Sequence, residues 1–273
     1  MTNHFRIAIL GGGNLGNSLA TGLLATGHFQ ANDLIVTRRK IQFLNHLQQQ
    51  NVRITSDNRG AVEESRFVLM TVKPHQMESL LQEIRSVIVP EKHILVSSVT
   101  GFPIRRIRSI CGNVPVIRIM PNTAAAIGES MTCLAAQEDD QGALTEVKEL
   151  FDLLGKTLVI GEELMEASTV LGACGIAFAL RFLRAMTQGG IEIGFPSETA
   201  QFIAAQTLRG AAGLVLKEGQ HPEKEIDKVT TPMGITISGL NEMEHNGFSS
   251  ALIKGILTSF HKIENLPPLA GKE

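Results

Sequence analysis

The stretch Ile7-Ala8-Ile9-Leu10-Gly11-Gly12-Gly13-Asn14-Leu15-Gly16 determines how the first half of this chain folds. Its apolar start is typical of a buried strand, and Leu15, Leu19 and Leu23 then recur on one helical face. The glycines between follow the G-x-G-x-x-G spacing that lets a backbone approach a pyrophosphate. The order of strand, glycine turn and helix predicts a dinucleotide-binding loop, whose cofactor contacts we expect from Gly11, Gly13, Asn14, Leu15 and Gly16. The alternative is a glycine-rich turn without a ligand.

Short apolar runs alternate with helical patterns as far as about Gly161. Predicted strands cover residues 7–10, 34–37, 52–55, 67–72, 94–97 and 116–119. Such alternation predicts an α/β fold with a Rossmann-type, doubly wound parallel sheet. Beyond Gly161 the predicted elements are helices, over residues 162–195, 197–216, 235–245 and 249–265. We therefore predict a dinucleotide-binding domain over residues 1–161, followed by an all-α dimerisation and substrate domain over residues 162–273.

Composition narrows the function classes. The formal net charge is −2, which disfavours a general affinity for nucleic acid or anionic membranes. The apolar stretch Ala167–Leu180 is too short to span a bilayer, and no signal-peptide pattern precedes the first strand. The three cysteines have no metal-ligand spacing, so no metal is expected. These features predict a cytoplasmic protein without nucleic-acid or membrane partners.

The residues after the second predicted strand indicate which dinucleotide binds. Thr37, Arg38, Arg39 and Lys40 stand where NAD-binding domains usually carry a carboxylate for the ribose hydroxyls. A hydroxyl and several cations suit a 2′-phosphate, so we predict NADPH as the cofactor, with NADH as a weaker substitute. Thr37, Arg38 and Arg39 are assigned to cofactor binding. The alternative is a solvated charge run that leads into a helix.

The chain resembles the pyrroline-5-carboxylate reductase family over nearly its whole length. Its Arg118-Ile119-Met120-Pro121-Asn122-Thr123 is close to the family's VRxMPNT element. Further matches, besides the glycine loop, are Asn58, Val72-Lys73-Pro74, Gly210-Ala211-Ala212, His221-Pro222, Val229-Thr230-Thr231-Pro232, Gly234, Thr236, Gly239 and Leu240. The resemblance implies a Rossmann domain with a helical dimerisation domain. It also implies NAD(P)H-dependent reduction of the cyclic imine 1-pyrroline-5-carboxylate to proline, the last step of proline biosynthesis.

Two segments depart from the family pattern. Ala173-Cys174-Gly175-Ile176-Ala177-Phe178 replaces Gly-Ser-Gly-Pro-Ala-Tyr, and Pro232-Met233-Gly234-Ile235-Thr236 replaces Pro-Gly-Gly-Thr-Thr. The new side chains are apolar and mostly larger. Two alternatives therefore stay open: a reductase of a different small imine or oxo acid, and a non-catalytic dinucleotide-binding paralogue.

Residues that follow neighbouring strands are expected to position the nicotinamide. We assign cofactor binding to Asn58, Val72, Lys73, Pro74, Met120, Pro121 and Asn122. Lys73 and Asn122 are the expected polar anchors, and Lys73 is also given a catalytic role. The alternatives are a surface lysine at a strand end, and turn chemistry alone for Pro121 and Asn122.

The small imino-acid substrate is expected at a junction between a loop and a helix. We assign substrate binding to Thr231, Pro232, Met233, Gly234, Ile235 and Thr236, where backbone N–H groups can hold a carboxylate. Thr236 is also predicted to be catalytic, with its hydroxyl near the imine nitrogen; the alternative is a helix-capping residue. Small residues in the C-terminal helices predict a homodimer through them, or a higher homo-oligomer.

Overall fold

Eight strands form one sheet in the order β3-β2-β1-β4-β5-β6-β7-β8. The structure is a computed structural model that describes residues 6–265. The strands β1 to β8 are, in chain order, Ile7–Leu10, Leu34–Thr37, Arg53–Thr55, Phe67–Met70, Ile94–Ser97, Val116–Met120, Ser130–Ala135 and Gly155–Val159. Neighbouring strands are parallel except β6 and β7, which are antiparallel. The expected Rossmann-type sheet is confirmed, with β7 and β8 added to the six strands that the sequence predicted.

Alternate residues of the central strands pack on opposite faces of the sheet. Ile7 and Ile9 belong to one apolar cluster, whereas Ala8 and Leu10 belong to the other. The helices α1 to α7 are, in chain order, Asn14–Ala25, Asn45–Gln48, Asn58–Glu63, Pro74–Ile84, Ile104–Cys111, Gln141–Asp152 and Met165–Ser168. Leu19 and Leu23 of α1 join the first cluster, and Met77 and Leu81 of α4 join the second. The sheet is therefore covered on both faces, and its strand ends remain free to form a site.

The chain divides after a π-helical segment, Thr169–Cys174. Residues Gly175–Ser259 form a separate compact unit of helices. The helices α8 to α12 are Gly175–Glu192, Ser197–Glu218, Pro222–Val229, Ile235–His245 and Phe248–Glu264. The predicted boundary at residues 161/162 precedes the π-helical segment, and it stays a prediction. Residues 266–273, the end of the predicted helical domain, lie outside the described residues.

The helical unit buries little of its own apolar surface. Within this described unit, none of the residues of α8, α10 or α11 is buried, and α9 buries Ala200 and Ala204. Large apolar side chains stay exposed, among them Phe202 at 72% and Leu216 at 85%. The helical run Glu162–Glu192 is also long and apolar enough to cross a membrane, judged by length and composition. The charge-free stretch Ala167–Leu180 is therefore only part of a longer apolar helical run.

Candidate active site

The glycine loop lies where β1, β2 and β4 end together. Gly11 has a φ of +115°, and a Cβ built on it lies 2.9 Å from the Thr71 carbonyl carbon. A Cβ on Gly16 lies 2.3 Å from the Gly11 oxygen. Both positions therefore exclude larger residues, because the contacts are to backbone. Thr71, which the sequence analysis did not single out, donates its hydroxyl to the Gly11 oxygen at 2.7 Å.

The open side of this loop fits a phosphate. A Cβ on Gly13 meets nothing within 4 Å, so this glycine faces free space. Gly13 is the N-cap of α1 and provides no side-chain cap, and the first turn of α1 carries no acidic residue. The first N–H groups of a helix attract anions when no side chain caps them. The geometry of Gly13, Asn14, Leu15 and Gly16 therefore fits the pyrophosphate-binding role predicted for them.

The side chain of Thr37 is turned into the protein. Thr37 is 2% exposed and donates its hydroxyl to Asn58 Oδ1 at 2.6 Å. The Asn58 amide then donates to both carboxylate oxygens of Glu83, at 3.1 and 3.0 Å. The cofactor contact expected from Thr37 stays a prediction; in this structure its hydroxyl proton is used within the protein. Glu83 was not predicted, since it lies on α4, far along the chain from β2.

Arg38 is held beside the glycine loop without a carboxylate partner. It is half-buried, and its Nη1 donates to the Gly12 oxygen at 2.8 Å. Its guanidinium carbon lies 4.6 Å from the centroid of the Phe43 ring. No ion pair of Arg38 occurs within residues 6–265, whereas Arg66 and Arg118 are each paired with glutamate. A partly desolvated cation without an anion suits a phosphate ligand. Arg39 and Lys40 are exposed beside it.

Val72-Lys73-Pro74 links β4 to α4 at the same end of the sheet. Lys73 is exposed and is the N-cap of α4, with Pro74 as the first helical residue. The Lys73 backbone N–H donates to Gln76 Oε1 at 3.3 Å, and the Gln76 N–H donates to the Lys73 oxygen at 2.9 Å. The backbone of Lys73 therefore stabilises the helix start and leaves its ammonium group available to a ligand.

Asn122 is used inside the protein. It is 7% exposed, its Oδ1 accepts from the Ala124 N–H at 3.0 Å, and its Nδ2 donates to the Gly172 oxygen at 3.2 Å. The role of this side chain as a polar anchor for nicotinamide stays a prediction; the internal bonds use one Nδ2 proton and one lone pair of Oδ1. Met120 and Pro121 are buried next to it. Asn122 instead connects the turn after β6 to the π-helical segment.

Arg118 adds a charged connection that the sequence analysis did not predict. Its side chain is 2% exposed, and its guanidinium reaches Glu162 at 3.3 Å and Glu166 at 3.2 Å. Glu162 Oε1 also accepts from the Ile104 N–H at 2.7 Å. Burying this cation is tolerable because two carboxylates surround it. The pair of glutamates attaches the segment before the π-helix to the end of β6.

The candidate substrate residues form an exposed turn in the helical unit. The Gly234 N–H donates to the Thr231 oxygen at 2.9 Å, with Pro232 and Met233 between them. Met233 has a φ of +58°, a left-handed conformation that favours glycine. The side chains of Met233 and Ile235 are fully exposed. Gly234 caps α11 without a side-chain hydrogen bond, and Thr236 is exposed in the first turn. The start of α11 therefore has first-turn N–H groups without a side-chain cap, and the substrate-binding role of this turn stays a prediction.

Three other titratable side chains, Cys111, Cys133 and His221, are poorly suited to catalysis. Burial raises the pKa of the Cys111 thiol to about 11 and also raises the pKa of Cys133. Both thiols are therefore poor nucleophiles at neutral pH. His221 caps α10, where its Nδ1 accepts from the Glu223 N–H at 3.3 Å. Within residues 6–265, no group of three or more His, Cys, Asp or Glu side chains could hold a metal ion.

The fold and the glycine loop define a dinucleotide-binding oxidoreductase of the Rossmann type. The family model for pyrroline-5-carboxylate reductase dimerisation matches residues 162–266, and a model described as "NADP oxidoreductase coenzyme F420-dependent" matches residues 6–101. Pyrroline-5-carboxylate reductase 2 of Dictyostelium discoideum is 44% identical, over 96% of this chain and 93% of that protein. The chain belongs to the pyrroline-5-carboxylate reductase family.

Two further proteins extend the comparison. Pyrroline-5-carboxylate reductase 1 of Dictyostelium discoideum is 46% identical over 95% of this chain, but the chain spans only 49% of that protein. The crystal structure of Plasmodium falciparum pyrroline carboxylate reductase with NADP bound has a TM-score of 0.85 at 22% identity. That alignment covers 96% of this chain and 98% of the other, so the two share the fold along nearly all of their length.

The strained turn makes a prediction about stability. Met233→Gly should raise the free energy of unfolding by about 0.5–1 kcal/mol, because glycine removes a left-handed strain of about 1–2 kcal/mol at some cost in chain entropy. Met233→Ala is the matched control: it removes only an exposed side chain and keeps the strain, so it should change little. Urea unfolding of both variants measures the difference. Equal stability of the two variants would contradict strain at this position.

Proposed function

We propose that this protein catalyses the NADPH-dependent reduction of 1-pyrroline-5-carboxylate to proline. The observation that carries the proposal is the combination of an open, uncapped glycine loop with a half-buried, unpaired Arg38 beside it. Family membership supports the substrate, because the curated relatives are named as reductases of this imine. When bound, the reduced nicotinamide supplies the hydride. The residues of the chain then have to bind the cofactor and the substrate, orient them, and neutralise the charges of the phosphates and the carboxylate.

The cofactor-binding residues divide into two groups by chemistry. Gly13 leaves the approach to the loop open, backbone N–H groups from Asn14 to Gly16 hold the pyrophosphate, and Arg38, with Arg39 beside it, holds the 2′-phosphate. Lys73 presents its ammonium at the end of β4, toward the polar groups of the cofactor. Val72, Pro74, Met120 and Pro121 shape the strand ends around it, and Asn58 and Asn122 hold those ends in place.

The substrate carboxylate is held by backbone groups. The turn Thr231–Gly234 and the start of α11 present N–H groups that do not depend on side-chain identity. This explains why Met233 and Ile235 can stand where the family has smaller or polar residues. Thr236 donates its hydroxyl near the imine nitrogen. Protonation of that nitrogen makes the carbon of the C=N bond electrophilic. The proton comes from solvent.

A spectrophotometric assay tests this function. NADPH oxidation at 340 nm should require 1-pyrroline-5-carboxylate, and Thr236→Val should lower kcat/KM by roughly 10- to 150-fold, the effect of about 1.5–3 kcal/mol from a lost hydrogen bond to a charged group. Ser238→Ala, which removes a hydroxyl two residues further along α11, is the control and should retain activity. Turnover with only a different imine or oxo acid would favour a reductase of that other substrate. Cofactor binding without turnover would favour a non-catalytic paralogue.

Cofactor preference tests the role of Arg38. NADPH should exceed NADH in kcat/KM by roughly one to two powers of ten, from a charge-assisted contact of about 1.5–3 kcal/mol. Arg38→Asp should reverse the preference, because it deletes the donor and adds repulsion. Arg105→Asp, at an exposed position of α5, makes the same charge change elsewhere and should leave the ratio of kcat/KM for NADPH and NADH unchanged. Similar kcat/KM for both cofactors in the wild type at low salt would contradict the 2′-phosphate contact.

We infer that the helical unit forms a homodimer, or part of a higher homo-oligomer. Its exposed apolar side chains and the apolar run Glu162–Glu192 need cover, and the dimerisation model that matches residues 162–266 favours a second copy over a membrane. The substrate is a small molecule, and the expectation of no nucleic-acid or membrane partner stays a prediction from the net charge. Its cytoplasmic location remains a prediction from the sequence.

Light scattering tests the assembly. The wild type should have twice the mass of one chain, or a higher multiple, at micromolar concentration. Phe202→Glu should shift the mass toward the monomer, because it buries a charge in an apolar interface. Val89→Glu, at an exposed apolar position outside the helical unit, is the matched control and should keep the oligomer. A monomeric wild type would contradict the proposed assembly.

A further inference from the structure

Phe43 is an exposed aromatic residue next to the proposed 2′-phosphate site. It lies in the short 3₁₀ turn Ile41–Leu44, where Leu44 is buried and Phe43 is 53% exposed. Leu44 packs directly beneath the glycine loop: a Cβ built on Gly12 lies 2.6 Å from Leu44 Cδ2. The turn is therefore anchored by Leu44, and Phe43 has a fixed position without being part of the core.

The Arg38 guanidinium is fixed by two contacts of different kinds. One edge donates to the Gly12 oxygen at 2.8 Å, and the carbon lies 4.6 Å from the centroid of the Phe43 ring. The first contact determines the position of one nitrogen, and the second restricts the orientation of the guanidinium. An arginine that is held in this way loses less conformational entropy when it binds a phosphate. The remaining N–H groups stay available on the side away from Gly12.

We propose that Phe43 is a positioning residue that determines how strongly this protein distinguishes a 2′-phosphorylated dinucleotide from an unphosphorylated one. It acts through Arg38 and does not itself touch the phosphate. The proposal rests on the assignment of Arg38 to the 2′-phosphate. Its distinctive consequence is that loss of the aromatic ring weakens recognition of the 2′-phosphate and leaves recognition of the rest of the nucleotide unchanged.

Binding of two small probes isolates this effect without turnover. Adenosine 2′,5′-bisphosphate and 5′-AMP differ only in the 2′-phosphate, and calorimetry at low salt gives Kd for each. Phe43→Leu should weaken bisphosphate binding by roughly two- to fivefold, the fold-change expected for a cation–π contact at an exposed site. It should change 5′-AMP binding by less than twofold. Phe43→Tyr keeps an aromatic ring and should preserve the wild-type ratio, as should Ile41→Ala in the same turn.

A double-mutant cycle tests whether the effect passes through Arg38. In an Arg38→Met background, Phe43→Leu should no longer affect bisphosphate binding, because the partner of the ring is gone. An equal loss for both probes would overturn the proposal and would indicate that the ring contacts the adenosine itself. The proposal would also be overturned if Phe43→Tyr weakened bisphosphate binding as much as Phe43→Leu does. An additive double-mutant cycle would overturn it too, because the effect of the ring would then not depend on Arg38.

The two proposals can fail separately. If the wild type binds adenosine 2′,5′-bisphosphate no better than 5′-AMP, the assignment of Arg38 to the 2′-phosphate is wrong and the proposal for Phe43 is overturned with it. If the wild type does prefer the bisphosphate and Phe43→Leu retains that full preference, only the role of Phe43 is wrong.

Discussion

The close approach of backbones at the end of β1 is the constraint on which the rest of the cofactor site depends. Gly11 lies against the backbone of Thr71 and Val72, and its own oxygen leaves no room for a side chain on Gly16. The N–H groups of Gly11 and Gly12 both donate to the Thr37 oxygen, at 3.2 and 2.7 Å. Three strand ends are thereby joined through one short loop. Backbone atoms make these joining contacts, and the side chains of Thr71 and Arg38 add hydrogen bonds to the Gly11 and Gly12 oxygens.

A second set of buried polar contacts extends this arrangement to the beginning of the helical unit. Asn122 bonds the Gly172 oxygen, within a π-helical segment where the regular helical hydrogen-bond pattern is broken. Arg118 holds Glu162 and Glu166 just before that segment. A buried amide or guanidinium without partners is costly, so these contacts specify one conformation for residues 162–172. The MPNT element thus serves the site by positioning the chain that leads into the helices.

The sequence predicted the strands that contain a short apolar run and did not predict β7 and β8, where polar residues interrupt that pattern. Ser130 and Thr132 of β7 point into the interior and hydrogen-bond each other at 3.1 Å, so the strand lacks the expected apolar pattern. The edge strand β8 is mostly exposed and begins at a glycine. For the site, motif spacing identified Arg38 and Asn58, but it could not show that Phe43 lies beside Arg38 or that Glu83 accepts from Asn58. Their positions follow from tertiary packing of α4 and of a 3₁₀ turn, not from local sequence.

The buried residues of the sheet unit and the Thr231–Gly234 turn of the helical unit differ in how tightly they are constrained. In the sheet unit, Thr37, Arg118 and Asn122 are buried and hydrogen-bonded, so a substitution there leaves a polar group without a partner. In the turn, Met233 is exposed, as is Ile235 beside it, and the backbone of the turn is hydrogen-bonded. Replacing an exposed side chain has little effect on folding, whereas replacing a buried polar one is costly. Met233 and Ile235, two of the departures from the family pattern, stand at such exposed positions, and the strained φ of Met233 is the local cost of placing a side chain where the backbone favours glycine.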